Sequence, residues 1–214
     1  MMRRLRTFAR RLRADTGGLA LLEFAFILPI FLVLSLTGAE LTNYVITRMR
    51  ISQLALQIAD NAARIGSGSQ LQAKTISETD INDLLTGAGL QGGELDLYPR
   101  GRVMISSLEP MTSPNVAKLY KIAWQRCRGT KTYDSPYDNT LTNISSGIGP
   151  TGRKVTAPDN GAVMFVEVAY DYKPLVKTSL SPSSAITEFA SMMVRDRRDT
   201  SKIYNTENAT KSTC

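Results

Sequence analysis

The chain has 214 residues, two cysteines, no histidine and a formal net charge of +7 at neutral pH. Without histidine it lacks the commonest general base and metal ligand, which excludes Ser-His and Cys-His nucleophile designs. Much of the positive charge is local, since six arginines precede Gly18, and this argues against a nucleic-acid partner. We therefore expect neither an enzyme nor a cofactor, a metal site or a small-molecule substrate.

The first predicted element is a membrane-spanning helix. From Leu19 to Ala39 the chain carries a single charge, Glu23. At ~1.5 Å per residue, this apolar stretch is long enough for a helix that spans the hydrocarbon core. The arginines on its N-terminal side predict a cytoplasmic N-terminus and place the bulk of the chain on the other side of the membrane.

The helical pattern continues beyond the membrane segment. Apolar residues recur at three- and four-residue spacing: Ile51, Leu54, Ala55, Ile58, Ala62 and Ile65. Such a stripe must pack on a soluble domain, and the glycine-serine stretch after it ends the helix. The sequence thus predicts a basic leader over 1–18, a long helix over 19–66 that Pro29 bends within the membrane, and a soluble domain over 67–214.

The soluble domain is predicted to begin with a short helix. Ser77 precedes two acidic residues and is expected to cap a helix that ends near Leu85. The glycine-rich stretch 87–92 has the spacing of a dinucleotide-binding motif. Because it follows a helix rather than a strand, we interpret it as a turn.

Three later segments are predicted as strands: 103–108, 119–126 and 163–172. In the second, apolar residues alternate with polar neighbours: Tyr120, Ile122 and Trp124. In the third, alternate positions form one wholly apolar face: Met164, Val166, Val168, Tyr170 and Tyr172. A strand with this pattern is expected to cover the core with that face.

The remaining segments are less regular. The stretch 129–160 is rich in turn-forming residues and is predicted to be a long exposed loop. Segment 186–194 fits a helix or a strand, and the strand is preferred. The polar tail 196–214 is expected to be ordered only if something ties it down. The resulting fold class is α+β: a long N-terminal helix packed on an antiparallel sheet of about three to five strands.

Glu23 is the residue with the clearest functional implication. It places a carboxylate about one helical turn inside the apolar stretch, where an acid costs a few kcal/mol and normally has a partner. A cut after Gly18 would give Leu19 a free ammonium group, and Glu23 of a neighbouring subunit could neutralise it. Such a pair adds little net stability but penalises misaligned neighbours, so Glu23 is predicted to set the axial register of packed helices.

Two alternatives at this segment remain. In the first, Glu23 is an interfacial acid at the end of an ordinary membrane anchor and reaches the headgroups. In the second, the segment is a conventional signal peptide cut after Ala39. The length of the apolar core and the glutamate inside it disfavour a signal peptide.

The basic leader, Gly18 and the following LALLEFAFILP resemble the processing site of type IV-like prepilins, specifically the TadE-like pseudopilins of tight adherence (Tad/Flp) pili. The resemblance is specific from Thr16 to about Gly66 and looser through WQRCRG and VEVAYDYKPLV; Pro29 and Glu40 also fit the family's pattern. It implies cleavage after Gly18 by a membrane prepilin peptidase, with Glu23 fifth in the mature chain.

The same resemblance implies a minor subunit with a pilin-like fold, held in the inner membrane with its C-terminal domain in the periplasm. Its partners would be the prepilin peptidase, other pseudopilins, the pilus assembly machinery and membrane lipid. The rival hypothesis is a bitopic periplasmic scaffold or binding protein that keeps its N-terminal anchor uncleaved.

Whether the two cysteines form a disulfide bond depends on the compartment in which the domain lies. Outside the cytoplasm, an even count and a cysteine as the last residue favour a disulfide bond between Cys127 and Cys214. The bond would pin the tail to the domain. The alternative is two unpaired thiols.

Overall fold

The computed structural model describes residues 8, 10, 11, 17–69, 72–177 and 181–214. The greater part of the predicted leader lies outside the described residues. The described chain divides into two compact units. The first contains the described residues up to Asn43 and those between Pro174 and Pro182, and the second contains Tyr44–Lys173 and Ser183–Cys214.

A long helix, α1, runs from Leu19 to Arg64, with Pro29 inside it. This confirms the predicted long helix, which ends two residues earlier than expected. The C-terminal end of α1 is capped by Arg198, whose guanidinium donates to the carbonyl oxygens of Ala62 and Ile65 at 3.1 and 2.8 Å. A cation at this end satisfies carbonyls that have no partner within the helix and complements its dipole.

Four strands form one antiparallel sheet: β1 (Gly101–Pro110), β2 (Tyr120–Gly129), β3 (Val163–Asp171) and β4 (Ala185–Met193). Their order in the sheet is β2-β1-β3-β4. The ambiguous segment near residue 190 is therefore a strand, because it pairs with β3 along its length. The sheet confirms the α+β class and the pilin-like arrangement of a long N-terminal helix on an antiparallel sheet.

One face of the sheet packs against residues 44–64 of α1 and against a second helix, α2 (Glu78–Gly92). The predicted stripe of α1 is buried in this core, with Ile51, Ile58 and Ala62 fully inaccessible to solvent. The predicted apolar face of β3 lies in the same cluster. Both periodicity-based predictions are confirmed.

Helix α2 begins as predicted and ends later than predicted. Ser77 forms a capping box with Asp80. The expected turn at 87–92 is wrong, because these residues continue the helix to Gly92. Gly89 allows this packing, since a Cβ there would lie 2.6 Å from the ring of Tyr98. A short 3-10 turn (Gly93–Leu95) and a four-residue helix, α3 (Leu97–Arg100), then lead into β1.

Strand β2 contains a bulge that the alternating pattern did not predict. Its register with β1 shifts between Ser107 and Leu108, so that Ala123 has no partner. As a result, Tyr120 and Ile122 pack on the far face of the sheet, whereas Trp124 packs on the core that faces the helices. An extra residue in one strand reverses the side on which the following side chains lie.

The far face of the sheet is covered by the segment between β2 and β3. This segment forms no helix or long strand, as expected, but it is not wholly exposed. Ile148 and Ala157 are buried against Phe165 and Leu108. Because the far face of β3 carries apolar side chains as well, it needs this cover.

The polar tail is tied to the domain. Cys214 is bonded to Cys127, with 5.2 Å between their Cα atoms. The amide of Cys127 also donates to the carbonyl of Ser212 at 2.9 Å. Earlier in the tail, the backbone of Tyr204 pairs with that of Ser77 in an isolated parallel β-bridge. The predicted disulfide is therefore present, and the tail is ordered through it.

The first prediction concerns the disulfide. The double variant Cys127→Ser/Cys214→Ser should lose up to about 4 kcal/mol of the free energy of unfolding, because the bond closes a long loop. The measurement is urea unfolding followed through the fluorescence of Trp124, the single tryptophan. Reductant should lower the stability of the parent chain and leave the double variant unchanged. Equal stability of the two oxidised chains would contradict this role.

Candidate functional site

The predicted processing site lies at the start of α1. Gly17 and Gly18 form a turn, and the helix begins at Leu19. The amide of Leu22 donates to the carbonyl of Gly18 at 3.1 Å, which joins Gly18 to the start of the helix. Among the residues that the structure describes, nothing lies within 4 Å of a Cβ placed on Gly18. Gly18 and Leu19, the two residues of the predicted cleavage site, are both exposed.

The first half of α1 is apolar and exposed. By length and composition it is a candidate membrane span, and none of its most apolar stretch is buried in the structure. The exposed side chains near its start include Leu19, Leu21, Leu22, Phe24, Phe26 and Ile27. So large an apolar surface requires lipid or other helices to cover it.

Glu23 lies in the middle of this apolar surface. Its side chain is exposed, and it makes no hydrogen bond or ion pair with any residue that the structure describes. A carboxylate in hydrocarbon needs a cation or donors around it. In a membrane, a newly formed chain terminus, a neighbouring molecule or the headgroups could supply a partner for Glu23.

Glu40, the second acid of α1, is placed differently. It is only 3% exposed, and its carboxylate accepts hydrogen bonds from the amides of Leu175 and Val176 at 2.8 and 3.1 Å. Glu40 therefore has its partners inside the first unit and ties the segment after Pro174 to the helix. The sequence indicated Glu40 only through the resemblance to pseudopilins, because the amides that donate to it lie 135 and 136 residues away in the chain.

A buried ion pair in the second unit was missed by sequence reasoning. Glu78, 1% exposed at the start of α2, receives two hydrogen bonds from the guanidinium of Arg126 on β2, one of them at 2.9 Å. Arg126 also donates to the carbonyl of Gln125 at 2.8 Å. This bidentate ion pair holds α2 against β2. Removal of either partner would leave a buried charge unpaired.

Glu167 is a second buried acid that the sequence did not reveal. It lies on β3 with no exposed surface, and it accepts hydrogen bonds from the hydroxyls of Ser135 and Tyr133. Burial raises the pKa of Glu167 to about 7, although the two hydroxyls oppose the shift. By the alternation of β3, Glu167 lies on the face opposite the apolar one, where Ser135 and Tyr133 of the segment between β2 and β3 cover it.

Comparisons of the chain with protein-family models, with curated proteins and with solved structures find no match. The resemblance to TadE-like pseudopilins therefore stays a prediction. Function must be inferred from the residues of this chain. Of the predicted site residues, Gly18, Leu19 and Glu23 lie within two helical turns of one another, and Cys127 and Cys214 are bonded to each other.

The raised pKa of Glu167 predicts a pH dependence of stability. Between about pH 4.5 and 7 the folded chain keeps a proton on Glu167 that the unfolded chain has lost, so the free energy of unfolding falls as the pH rises. The loss should approach about 3 kcal/mol by pH 7, in order of magnitude.

The test is urea unfolding from pH 4.5 to 8 for the parent chain and for Glu167→Gln, which removes the charge, keeps an acceptor for one hydroxyl and offers a donor to the other. In Glu167→Gln, we expect the free energy of unfolding to lose the part of its pH dependence that Glu167 causes. Glu94→Gln, a substitution at an exposed position, is the matched control and should retain the slope. An unchanged slope in Glu167→Gln would show that another group causes the dependence.

Proposed function

We propose that the chain is a minor pseudopilin that a prepilin peptidase cuts between Gly18 and Leu19 and that takes part in the assembly of a Tad/Flp-type pilus. Its helix anchors it in the inner membrane, with the N-terminus cytoplasmic and the second unit periplasmic. The observation that supports this function best is the exposed Glu23 carboxylate within an uncovered apolar helix, four residues after an open Gly-Leu junction.

Cleavage would change the charge of the helix start. The new ammonium of Leu19 would stand one turn from Glu23, since four residues of helix rise by ~6 Å. When two such helices pack side by side in a membrane, the ammonium of one can neutralise the carboxylate of the other. The pair penalises every other axial offset, because a shifted neighbour leaves both charges in hydrocarbon without a partner.

The second unit fits a role in assembly. Its disulfide and its tied tail suit a domain that works in an oxidising compartment. A long helix packed on an antiparallel sheet is the architecture that a pilin uses to present a folded head on a helical stem. The charge of the leader predicts the orientation in which that head lies outside the cytoplasm.

The processing step gives one prediction. Co-expression with a prepilin peptidase should yield a chain whose intact mass begins at Leu19, and the Gly18→Val variant should remain uncut. Since a Cβ at Gly18 would meet no described residue within 4 Å, we expect Gly18→Val to leave the fold intact, so that a loss of cleavage reports on the protease.

Gly38→Val is the control for this experiment, because Gly38 lies in the same helix and is equally open around its Cβ. It should be cut as the parent chain is. An uncut parent chain in the presence of the peptidase would favour the rival hypothesis, a bitopic scaffold or binding protein that retains its anchor.

The register role gives another prediction. Glu23→Ala should be cut normally, while pilus number and recovery of other pilin subunits with the chain fall about tenfold, the change that ~1.4 kcal/mol produces. Leu21→Ala, a truncation at a neighbouring exposed position that removes no charge, should assemble as the parent chain does. Normal piliation in Glu23→Ala would refute the register role.

A further inference from the structure

A polar cavity of about 400 Å³ lies beside β2 in the second unit. Its floor is formed by the β2 residues Lys121 to Trp124, and its wall is formed by the tail, with Lys202 and Lys211. Its volume is within the range of small-molecule sites. The proposed pilus function leaves this cavity unused.

The cavity has a strong excess of positive charge. Four cationic side chains line it against one carboxylate, Glu78, which Arg126 already neutralises. The ammonium groups of Lys121, Lys202 and Lys211 make no hydrogen bond or ion pair with any residue in the described part of the chain. Lys202 instead stands over the ring of Tyr204, 4.8 Å from its centroid. Lys121 acts electrostatically on Glu109 and Lys202 on Asp199, but neither of these acids lines the cavity. The excess of cations in the lining favours an anionic ligand.

Two features of the fold create this arrangement. The bulge at Ala123 puts Lys121 and Trp124 on the same face of β2, since their partners on β1 are Glu109 and Ser107, two residues apart. In a regular strand, residues three apart point to opposite faces. The Cys127–Cys214 bond joins the end of the tail to β2, and Lys202 and Lys211 of the same tail line the cavity.

We propose that this cavity binds a carboxylated sugar unit of an acidic polysaccharide. The lysines would bind the carboxylate, the indole of Trp124 would offer an apolar face to the ring, and Asn139, Thr200 and Ser201 would serve the hydroxyl groups. A simple acidic side chain would use the cations but neither the indole nor the neutral polar groups. A hydroxylated ring with one negative charge uses all three kinds of group.

The probe is trigalacturonic acid, titrated into the full chain in micelles of a zwitterionic detergent. Binding is measured by calorimetry and by the emission of Trp124, which is the single tryptophan and lies in the cavity. We expect saturable binding with a Kd below about 1 mM. The triple variant Lys121→Gln/Lys202→Gln/Lys211→Gln should weaken it about tenfold or more.

The matched control is Lys118→Gln/Lys154→Gln/Lys173→Gln, which removes the same charge from exposed positions outside the cavity. It should bind as the parent chain does, and neutral maltotriose should not bind. The proposal is overturned if the parent chain shows no saturable binding, or if both triple variants weaken binding equally. It is also overturned if triglutamate binds as tightly as trigalacturonic acid, since the cavity would then be a site for acidic peptide.

Discussion

The apolar surface of α1 needs two different kinds of cover, and the rest of the structure depends on this requirement. Residues 44–64 of the helix bury their apolar stripe against the sheet and α2. The first half of the same helix keeps its leucines and phenylalanines exposed. Burial of apolar surface is worth about 25 cal/mol per Å². The second unit gains this stabilisation through its own folding. The first half of α1 gains it only when lipids or other helices cover its apolar side chains.

Three buried glutamates differ from Glu23 in having hydrogen-bond donors among the described residues. Glu40, Glu78 and Glu167 are all buried, and each has donors of its own within the chain. Glu23 is exposed and has none among the described residues, and it lies in a candidate membrane span. A charge without a partner is costly in hydrocarbon, and our proposal assigns the partner of Glu23 to a neighbouring molecule. This contrast is why Glu23, and not the other acids, carries the proposed assembly role.

The polar tail is a structural part of the second unit. Arg198 caps the end of α1, Tyr204 pairs beside the start of α2, and Cys214 closes the chain onto β2. Of these three elements, α2 and β2 line the cationic cavity together with the tail. The disulfide joins the tail to β2, and the bulge puts Lys121 and Trp124 on one face of that strand.

Local signals in the sequence were enough to predict four features: the long apolar first half of α1, the apolar stripe in its second half, the cap at Ser77 and the apolar face of β3. Each follows from a periodicity of a few residues or from a side chain bonding its own backbone. Only the tertiary structure decided that 87–92 is helical, that Trp124 faces the helices and that the tail crosses to β2. These outcomes depend on contacts between residues far apart in the chain, such as Gly89 with Tyr98, and no local pattern contains them.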